Sequence, residues 1–589
     1  MVAVAVSPAV AAAEAVAVAG KRGFILIATL LLVACSNEQP AGSISPADRV
    51  FMNAAVYTVD DERSWAEAVA IRDGKIAYVG DNAGASVWTG KDTEVLDLDG
   101  KMLLPGFHDS HVHILIGIFT DEYCSLELLE TVDAVVERLQ ECVELDGFGE
   151  DRWIDGGIWL DQLFPEANPH KDLLDELFPD RPVYLGSSFG HSAWVNSRAL
   201  EIAGIHIETP NPPAGVIERD SETGEATGTL RDSAMMLVRD VMPKSTLEHF
   251  IEMVRAAVTY AQSNGITSVI EPGVDGDALA PILVLADQGE INLRVMVALS
   301  PINWQPGKFG DEIYDMLEQR EHWRRPDINV DSVKIYMDGV IEYGTAAMFE
   351  PYDISKWGDG LRFYSQEQVN EYLTRFDAMG INIQVHAIGD AGIRMALDGF
   401  EAMRRENGHT DNRHQIVHLQ LIDDADIPRF GELDIGANFQ ALWAYPDEAV
   451  VGLDYPAIGV ERSMRTYPIG RVAEAGGRIV GGSDYSVTSI NPLLAIEVAL
   501  TRQNPYTNEG PLLNVDERVD LDRMIAAYTI NGAYQMALDD VQGSIEVGKR
   551  ADLVVLDRNL FDIPASEISE ASVEMTIFDG RTVYERTRD

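Results

Sequence analysis

Cationic side chains are scarce in this chain. Of its 589 residues only 45 are Lys or Arg, against 96 Asp or Glu, for a formal net charge of −51. A phosphate backbone repels such a polyanion, which excludes nucleic acid as a partner. The acidic residues are spread out rather than gathered in runs, so they read first as a solvated surface and second as a field that steers cationic substrates. Cysteine is also rare, and three residues cannot build a disulfide framework. The apolar run at 24–33 is too short to span a bilayer comfortably. What is present is ordinary for a large globular core: 46% hydrophobic and 24% charged residues.

The beginning of the chain reads as an address. Lys21 and Arg22 precede the apolar run, which ends in Leu32-Val33-Ala34-Cys35 followed by Ser36-Asn37. This resembles the lipobox of a bacterial lipoprotein, in which the cysteine is lipidated. Residues 1–35 are therefore expected to be a signal peptide with a lipobox, Cys35 the lipidation site, and 36–48 a tether. The expected location is the periplasm, anchored by lipid to a membrane, with the outer membrane favoured. In an oxidising compartment Cys124 and Cys142 either pair or remain as two reduced thiols. Neither has an obvious His partner, which argues against a catalytic cysteine.

Both ends of the remaining chain are strand-rich. Residues 50–59, 68–72 and 75–79 read as strands, with Asp73-Gly74 as a hairpin turn. Residues 551–556, 575–578 and 582–584 have the same character, with Asp579-Gly580 between the last two. The middle alternates short apolar runs (182–185, 268–270, 293–299, 333–336, 381–385, 415–417, 435–437 and 478–480) with helical stretches such as 247–263, 366–379 and 391–405. That alternation predicts a parallel α/β sheet. The lack of a GxGxxG after the first strand favours a closed barrel over two doubly wound domains. Residues 114–240 break the alternation with long helical and loop-like stretches, including the Pro-rich segment at 209–213, and read as an insertion over the barrel mouth.

Chemistry concentrates at the ends of the apolar runs. In Pro105-Gly106-Phe107-His108-Asp109-Ser110-His111-Val112-His113, residues two apart on a strand share a face, so His111 and His113 can share a metal while His108 points elsewhere. Alone the pair is a weak signal. His386, His418 and Asp484 each follow a later run, where the strands of a barrel present their ends to one face. Lys334 lies inside an apolar strand and must be neutral, paired or modified. It either bridges to Asp338 or another carboxylate, or, deprotonated, reacts with carbon dioxide to give a carbamate that bridges two metals. His191 is a core histidine or a group beside the metal. Glu271 and Asp390 read as structural, with a lesser claim on the pocket.

These residues carry a resemblance to the amidohydrolase superfamily, and within it to amidohydrolase family 3. The matching motifs are Pro105-Gly106 with Asp109-x-His111-x-His113, Gly190-His191-Ser192-Ala193-Trp194-Val195-Asn196, Val333-Lys334 with Asp338-Gly339, Val385-His386-Ala387-x-Gly389-Asp390, Val417-His418, Gly482-Ser483-Asp484, Tyr528-Thr529-x-Asn531-Gly532-Ala533, and Gly543-Ser544-Ile545-Glu546-x-Gly548-Lys549-x-Ala551-Asp552-Leu553. Phe189 departs from the family, which often has Asp before this Gly-His. The resemblance implies a distorted (β/α)8 barrel spanning 105–540, with a small β-sandwich formed by 49–104 and 541–589. It implies His111, His113, His386 and His418 as ligands of one or two divalent ions of the zinc type, and Lys334 as the carboxylated bridge. Asp484 would be both ligand and general base, and His191 would polarise the scissile carbonyl. The expected reaction is hydrolysis of an amide, formamide or cyclic amide C–N bond by a metal-activated water. Hydrolysis of esters, lactones or phosphoesters at the same centre, and a non-catalytic ligand-binding lipoprotein, are the alternatives. A small-molecule substrate and a membrane are the expected partners, with room for a homo-oligomer.

Overall fold

Eight strands lie side by side in one parallel sheet, and their order in space is their order in the chain. They are β1 (Phe107–Asp109), β2 (Ile266–Val274), β3 (Arg294–Leu299), β4 (Ile328–Tyr336), β5 (Asn382–Ala387), β6 (Gln415–His418), β7 (Gly436–Phe439) and β8 (Ile479–Gly481). The computed structural model describes residues 45–114, 126, 129, 131–144, 153–187, 190–243, 246–300 and 312–587. The expected leader with Cys35, and also Cys124 and Phe189, lie outside the described residues. Cys142 is buried and disulfide-bonded. Among the described residues no helix is long and apolar enough to cross a membrane.

The strands are buried on both faces, which is why they read in the sequence as continuous apolar runs rather than alternations; all six residues of β5 are buried. The ends of the sheet meet as a nearly closed barrel, where the Ser110 amide just past β1 donates to the Gly481 carbonyl of β8 at 3.0 Å. Helices cover the outside. The helix α1 (Gln366–Ala378) starts in a capping box of Ser365 and Gln368, and Gly380 beyond its end takes the left-handed conformation that lets the chain turn into β5. The helix α2 (Asp390–Asn407) returns along the barrel from β5 and packs against α1, with Gly399 facing Val369 and Leu373.

The two chain ends share two further sheets. One runs Lys75–Gly80, Ala68–Arg72, Arg49–Met52, Glu94–Asp97. The other runs Arg581–Glu585, Val573–Phe578, Leu553–Leu556, Met102–Pro105, Ala55–Tyr57, Trp65–Ala66. In the second, Met102–Pro105 pairs antiparallel with Leu553–Leu556, so each chain end completes the other. Phe51, Val69 and Ile71 from the first sheet bury against Leu103, Val555 and Ile577 from the second. Both expected hairpin turns have two successive positive φ angles, at Asp73-Gly74 and Asp579-Gly580, as a tight turn between twisted strands requires.

The segment after β1 differs from expectation. Besides the expected helices, such as Val132–Glu144, it carries a five-stranded sheet, in the order Gly215–Arg219, Ala226–Asp232, Ser192–Val195, Val183–Ser187, Ile154–Trp159. The apolar run at 182–185 belongs to this sheet and not to the barrel. Its mixed pairing has its own core around Trp159 and Trp194, and a local apolar run carries no record of which sheet it will join.

Arg294, at the start of β3 and only 4% exposed, clamps barrel to sandwich. Its guanidinium lies 2.6 Å from Asp552, 2.7 Å from Asp579 and 4.2 Å from the Phe578 ring centre. Replacing it with Met strands the buried Asp552 carboxylate, and the expected cost is about 3–5 kcal/mol. Denaturant unfolding of R294M checks this; a midpoint equal to that of the unaltered protein would contradict it.

Candidate active site

The barrel mouth is built from the seam outward. Asp109 closes β1 and is fully buried; its Oδ1 accepts the amides of His111 and Ser483 at 3.2 and 3.0 Å. Burial pushes this carboxyl up to about 7, against those bonds. The Asp484 amide donates to the His111 carbonyl at 2.8 Å, and the His113 amide to the Tyr485 carbonyl at 2.8 Å. The chain after β1 is thus zipped to the chain after β8.

His111 and His113 lie beyond the end of β1, so strand alternation is not what aligns them. The seam aligns them instead. His111 Nε2 and His113 Nε2 converge on Asp484 Oδ1 at 3.3 and 3.2 Å, and that oxygen is buried and accepts no hydrogen bond. His418, the last residue of β6, brings its Nδ1 to 3.8 Å from Asp484 Oδ2. Ligand atoms of His111, His418 and Asp484 all lie within 4.8 Å of one another. The His386 ring of β5 is centred 4.5 Å from that of His418, and Lys334 Nζ of β4 is 3.3 Å from His111 Nε2. All six sequence-predicted metal residues therefore meet at one place and line one cavity of about 660 Å³. His418 and Asp484 also hold left-handed backbone, at φ 82° and 54°, a strain of about 1–3 kcal/mol each for residues with a Cβ.

The electrostatics suit a cation. Burial, reinforced by the Lys334 charge, pushes His111 down to about 4 and holds His386 well below the ordinary imidazole range. Burial and the neighbouring His386 do the same to His418. These rings are neutral and offer lone pairs. Burial opposes ionisation of Asp484, yet contacts with His111 and His113 outweigh it and hold the carboxyl well below its usual range. Burial also pushes Lys334 down to about 7, despite the Asp484 charge. Imidazoles around a buried carboxylate oxygen that lacks a donor form a set that fits a divalent ion of the zinc type.

Lys334 does not bridge to Asp338. The Asp338 carboxylate instead accepts the amides of Ala347, Ile388 and Gly389 at 2.9–3.1 Å. Glu271 accepts the Ile114 amide at 2.8 Å, and Asp390 accepts that of Phe349 at 2.8 Å. Both anchor backbone and neither lines the cavity. His108 packs under Gly532, away from it.

Several functional side chains were not visible as such in the sequence. Gln384 Oε1 lies 2.9 Å from His111 Nδ1, and Gln440 Oε1 lies 2.9 Å from His418 Nδ1. Gln384, Gln415 and Asn438, from three adjacent strands, all donate to the Ser110 carbonyl at 3.1–3.3 Å. The only sequence signal was a polar amide inside an apolar run. His191 comes from the insertion, beside its strand Ser192–Val195, and its ring is centred 5.7 Å from that of His386. Its Nδ1 is 2.7 Å from Asp232 Oδ1, and the Asp232 amide donates back to the His191 carbonyl at 2.9 Å. Burial opposes protonation of His191, but the bond to Asp232 outweighs it and raises its pKa. Asp232 lies 41 residues downstream, too far for spacing to have revealed the pair.

Gln384→Ala removes the bond that orients His111 without touching a ligand atom, and should weaken metal binding about 10–100-fold. Chelator competition reads this directly; unchanged affinity would mean that Gln384 does not position His111.

Known proteins share this architecture. The amidohydrolase family model matches residues 94–584. The chain is 30% identical over 558 residues to Protein LONG AFTER FAR-RED 3 of Arabidopsis thaliana, covering 92% of each. It is 30% identical over 556 residues to the N-substituted formamide deformylase of Arthrobacter pascens, covering 92% of this chain and 99% of that one. A metal-dependent hydrolase from Pyrococcus furiosus superposes with a TM-score of 0.66 over 87% of this chain and 99% of its own, at 24% identity, and supports the fold alone. Since the match runs from the strand Glu94–Asp97 through the whole barrel to the sandwich strands of the C-terminal end, the chain belongs to the amidohydrolase family of metal-dependent hydrolases.

Proposed function

We propose that this protein hydrolyses the C–N bond of a small amide, formamide or cyclic amide. The observation that carries the reading is the convergence of His111 and His113 on the donor-free Oδ1 of Asp484, in the same cavity as the His191–Asp232 pair. The deformylase name of the Arthrobacter pascens relative supports the choice of bond. His111, His113, His386, His418 and Asp484 would hold one or two divalent ions, of which zinc best matches the donors. A metal bound there lowers the pKa of a water and polarises a carbonyl.

The side chains then divide the proton work. Asp484 takes a proton from the attacking water and passes it to the leaving nitrogen as the C–N bond breaks. His191 donates to the carbonyl oxygen as negative charge develops there, a role worth about 3 kcal/mol for a well-placed donor. Asp232 fixes the His191 ring and favours its protonated form. Lys334, with its low proton affinity, is the site for carbamate formation: the neutral amine adds to carbon dioxide and loses a proton, leaving an anion beside His111. We further propose that the chain is exported and lipidated at Cys35, in keeping with the resemblance of residues 32–35 to a lipobox.

A panel of matched amides, formamides, esters, lactones and phosphoesters tests the choice of bond. Amide or formamide turnover that falls about 10²–10⁴-fold in Asp484→Asn is expected. Turnover confined to esters, lactones or phosphoesters would overturn the proposal, as would full activity in D484N. His191→Gln should lower kcat about 10²–10³-fold, and Asp232→Asn less.

A further inference from the structure

The cavity that holds the cluster carries a second set of carboxylates that this chemistry leaves unused. Glu342 and Asp447 both line it. Glu342 sits in the middle of the short turn Ile341–Tyr343 that follows β4, and is only 8% exposed. The turn is fixed from both sides: Tyr343 donates to the buried Asp161 and lies 3.2 Å from the Ser187 hydroxyl, while the Arg231 guanidinium stacks 4.4 Å from its ring centre. Glu342 itself has no such partner. Apart from its own backbone N–H, no described residue hydrogen-bonds to its carboxyl or forms an ion pair with it.

Its charged neighbours make matters worse. Asp161 and Asp447 repel the ionised form of Glu342, while its own backbone N–H and the charge of His191 favour it. Behind them Asp454 is buried, with one oxygen bonded to Gln420 at 2.8 Å and the other without a donor. Among the described residues Asp447 is met only by backbone, chiefly the Val450 amide at 2.8 Å. The two basic side chains that also line the cavity are committed elsewhere: Lys334 Nζ lies against His111, and Arg239 stacks 5.7 Å from the Tyr184 ring centre and is drawn to Asp155. Burial pushes Glu342 up to about 7 and Asp447 up to about 6. A buried carboxylate without a partner is costly, and a fixed turn that aims one into a substrate cavity has an obvious complement.

We propose that Glu342, assisted by Asp447, binds a cationic nitrogen carried by the substrate, a primary ammonium or a guanidinium. The inference rests on the hydrolase reading above and names its substrate class: an amide whose amine or acyl portion bears a positive charge. The cation supplies the donors that Glu342 lacks and keeps it ionised through charge-assisted hydrogen bonds. The net charge of −51 acts in the same direction at long range, since it concentrates cations near the surface and loses that pull as salt rises.

The test uses the full metal-loaded protein and two probe series. One is monoacetylated α,ω-diaminoalkanes of increasing length; the other is the N-alkylacetamides in which a methyl group replaces the terminal ammonium. At its best length the charged series should show kcat/KM about 10–100-fold above its neutral counterpart. In Glu342→Gln, checked by circular dichroism and metal content, that ratio should fall towards one. Asp447→Asn serves as the second variant if E342Q does not fold. Equal kcat/KM for the two series, or a ratio unchanged in the folded variants, would overturn the proposal. Calorimetric binding of free diaminoalkanes separates this inference from the hydrolase reading. Binding that is lost in E342Q, with no amide cleaved, would uphold the cation site and defeat the amide reading alone.

Discussion

The site depends on the seam between the first and last barrel strands. Asp109 binds the amides of His111 and Ser483 with one carboxylate, and the His111 carbonyl in turn receives the Asp484 amide. This reciprocal clasp closes the barrel and places imidazole and carboxylate side chains from opposite ends of the sheet on one point. Three amide side chains from β5, β6 and β7 then hold the Ser110 carbonyl from inside the barrel. The interior is thus not purely apolar. A layer of hydrogen-bonded side-chain amides lies directly beneath the mouth and sets His111 and His418 in orientation.

Above that layer the cavity combines contributions with different origins. The barrel supplies the neutral imidazoles, Lys334 and Asp484, which together suit a cation. The insertion supplies His191 and Asp232, which suit a developing oxyanion. The turn after β4 supplies Glu342, which belongs to neither group. This division fits the fold: a rigid parallel barrel is a precise platform for a metal centre, while connecting segments over its mouth shape what is admitted.

Much of this was legible in the sequence, and for physical reasons. Strands buried on both faces must be apolar throughout, so seven of the eight barrel strands appear as apolar runs, and the polar residues ending or interrupting them stand out. His386, His418, Asp484 and Lys334 were readable for that reason. Asp73-Gly74 and Asp579-Gly580 were readable because few residues tolerate two successive positive φ angles. The five-stranded sheet of the insertion was not, since its strand at Val183–Ser187 has the same apolar texture as a barrel strand. The convergence of His111 and His113 was anticipated from strand alternation, yet the chain has left the strand there and long-range hydrogen bonds do the aligning. Asp232, Gln384 and Gln440 were missed because each acts through a histidine distant in sequence, and pairings of that kind exist only in three dimensions.

The central claim is that the cluster at the seam holds a catalytic divalent ion. Anomalous diffraction from crystals of the metal-loaded protein, collected across the metal absorption edge, tests it most directly. The account predicts a peak at about 2.0–2.2 Å from Asp484 and the imidazoles of His111 and its neighbours. An anomalous peak found only elsewhere, or none at this site in protein that retains hydrolase activity, would contradict it.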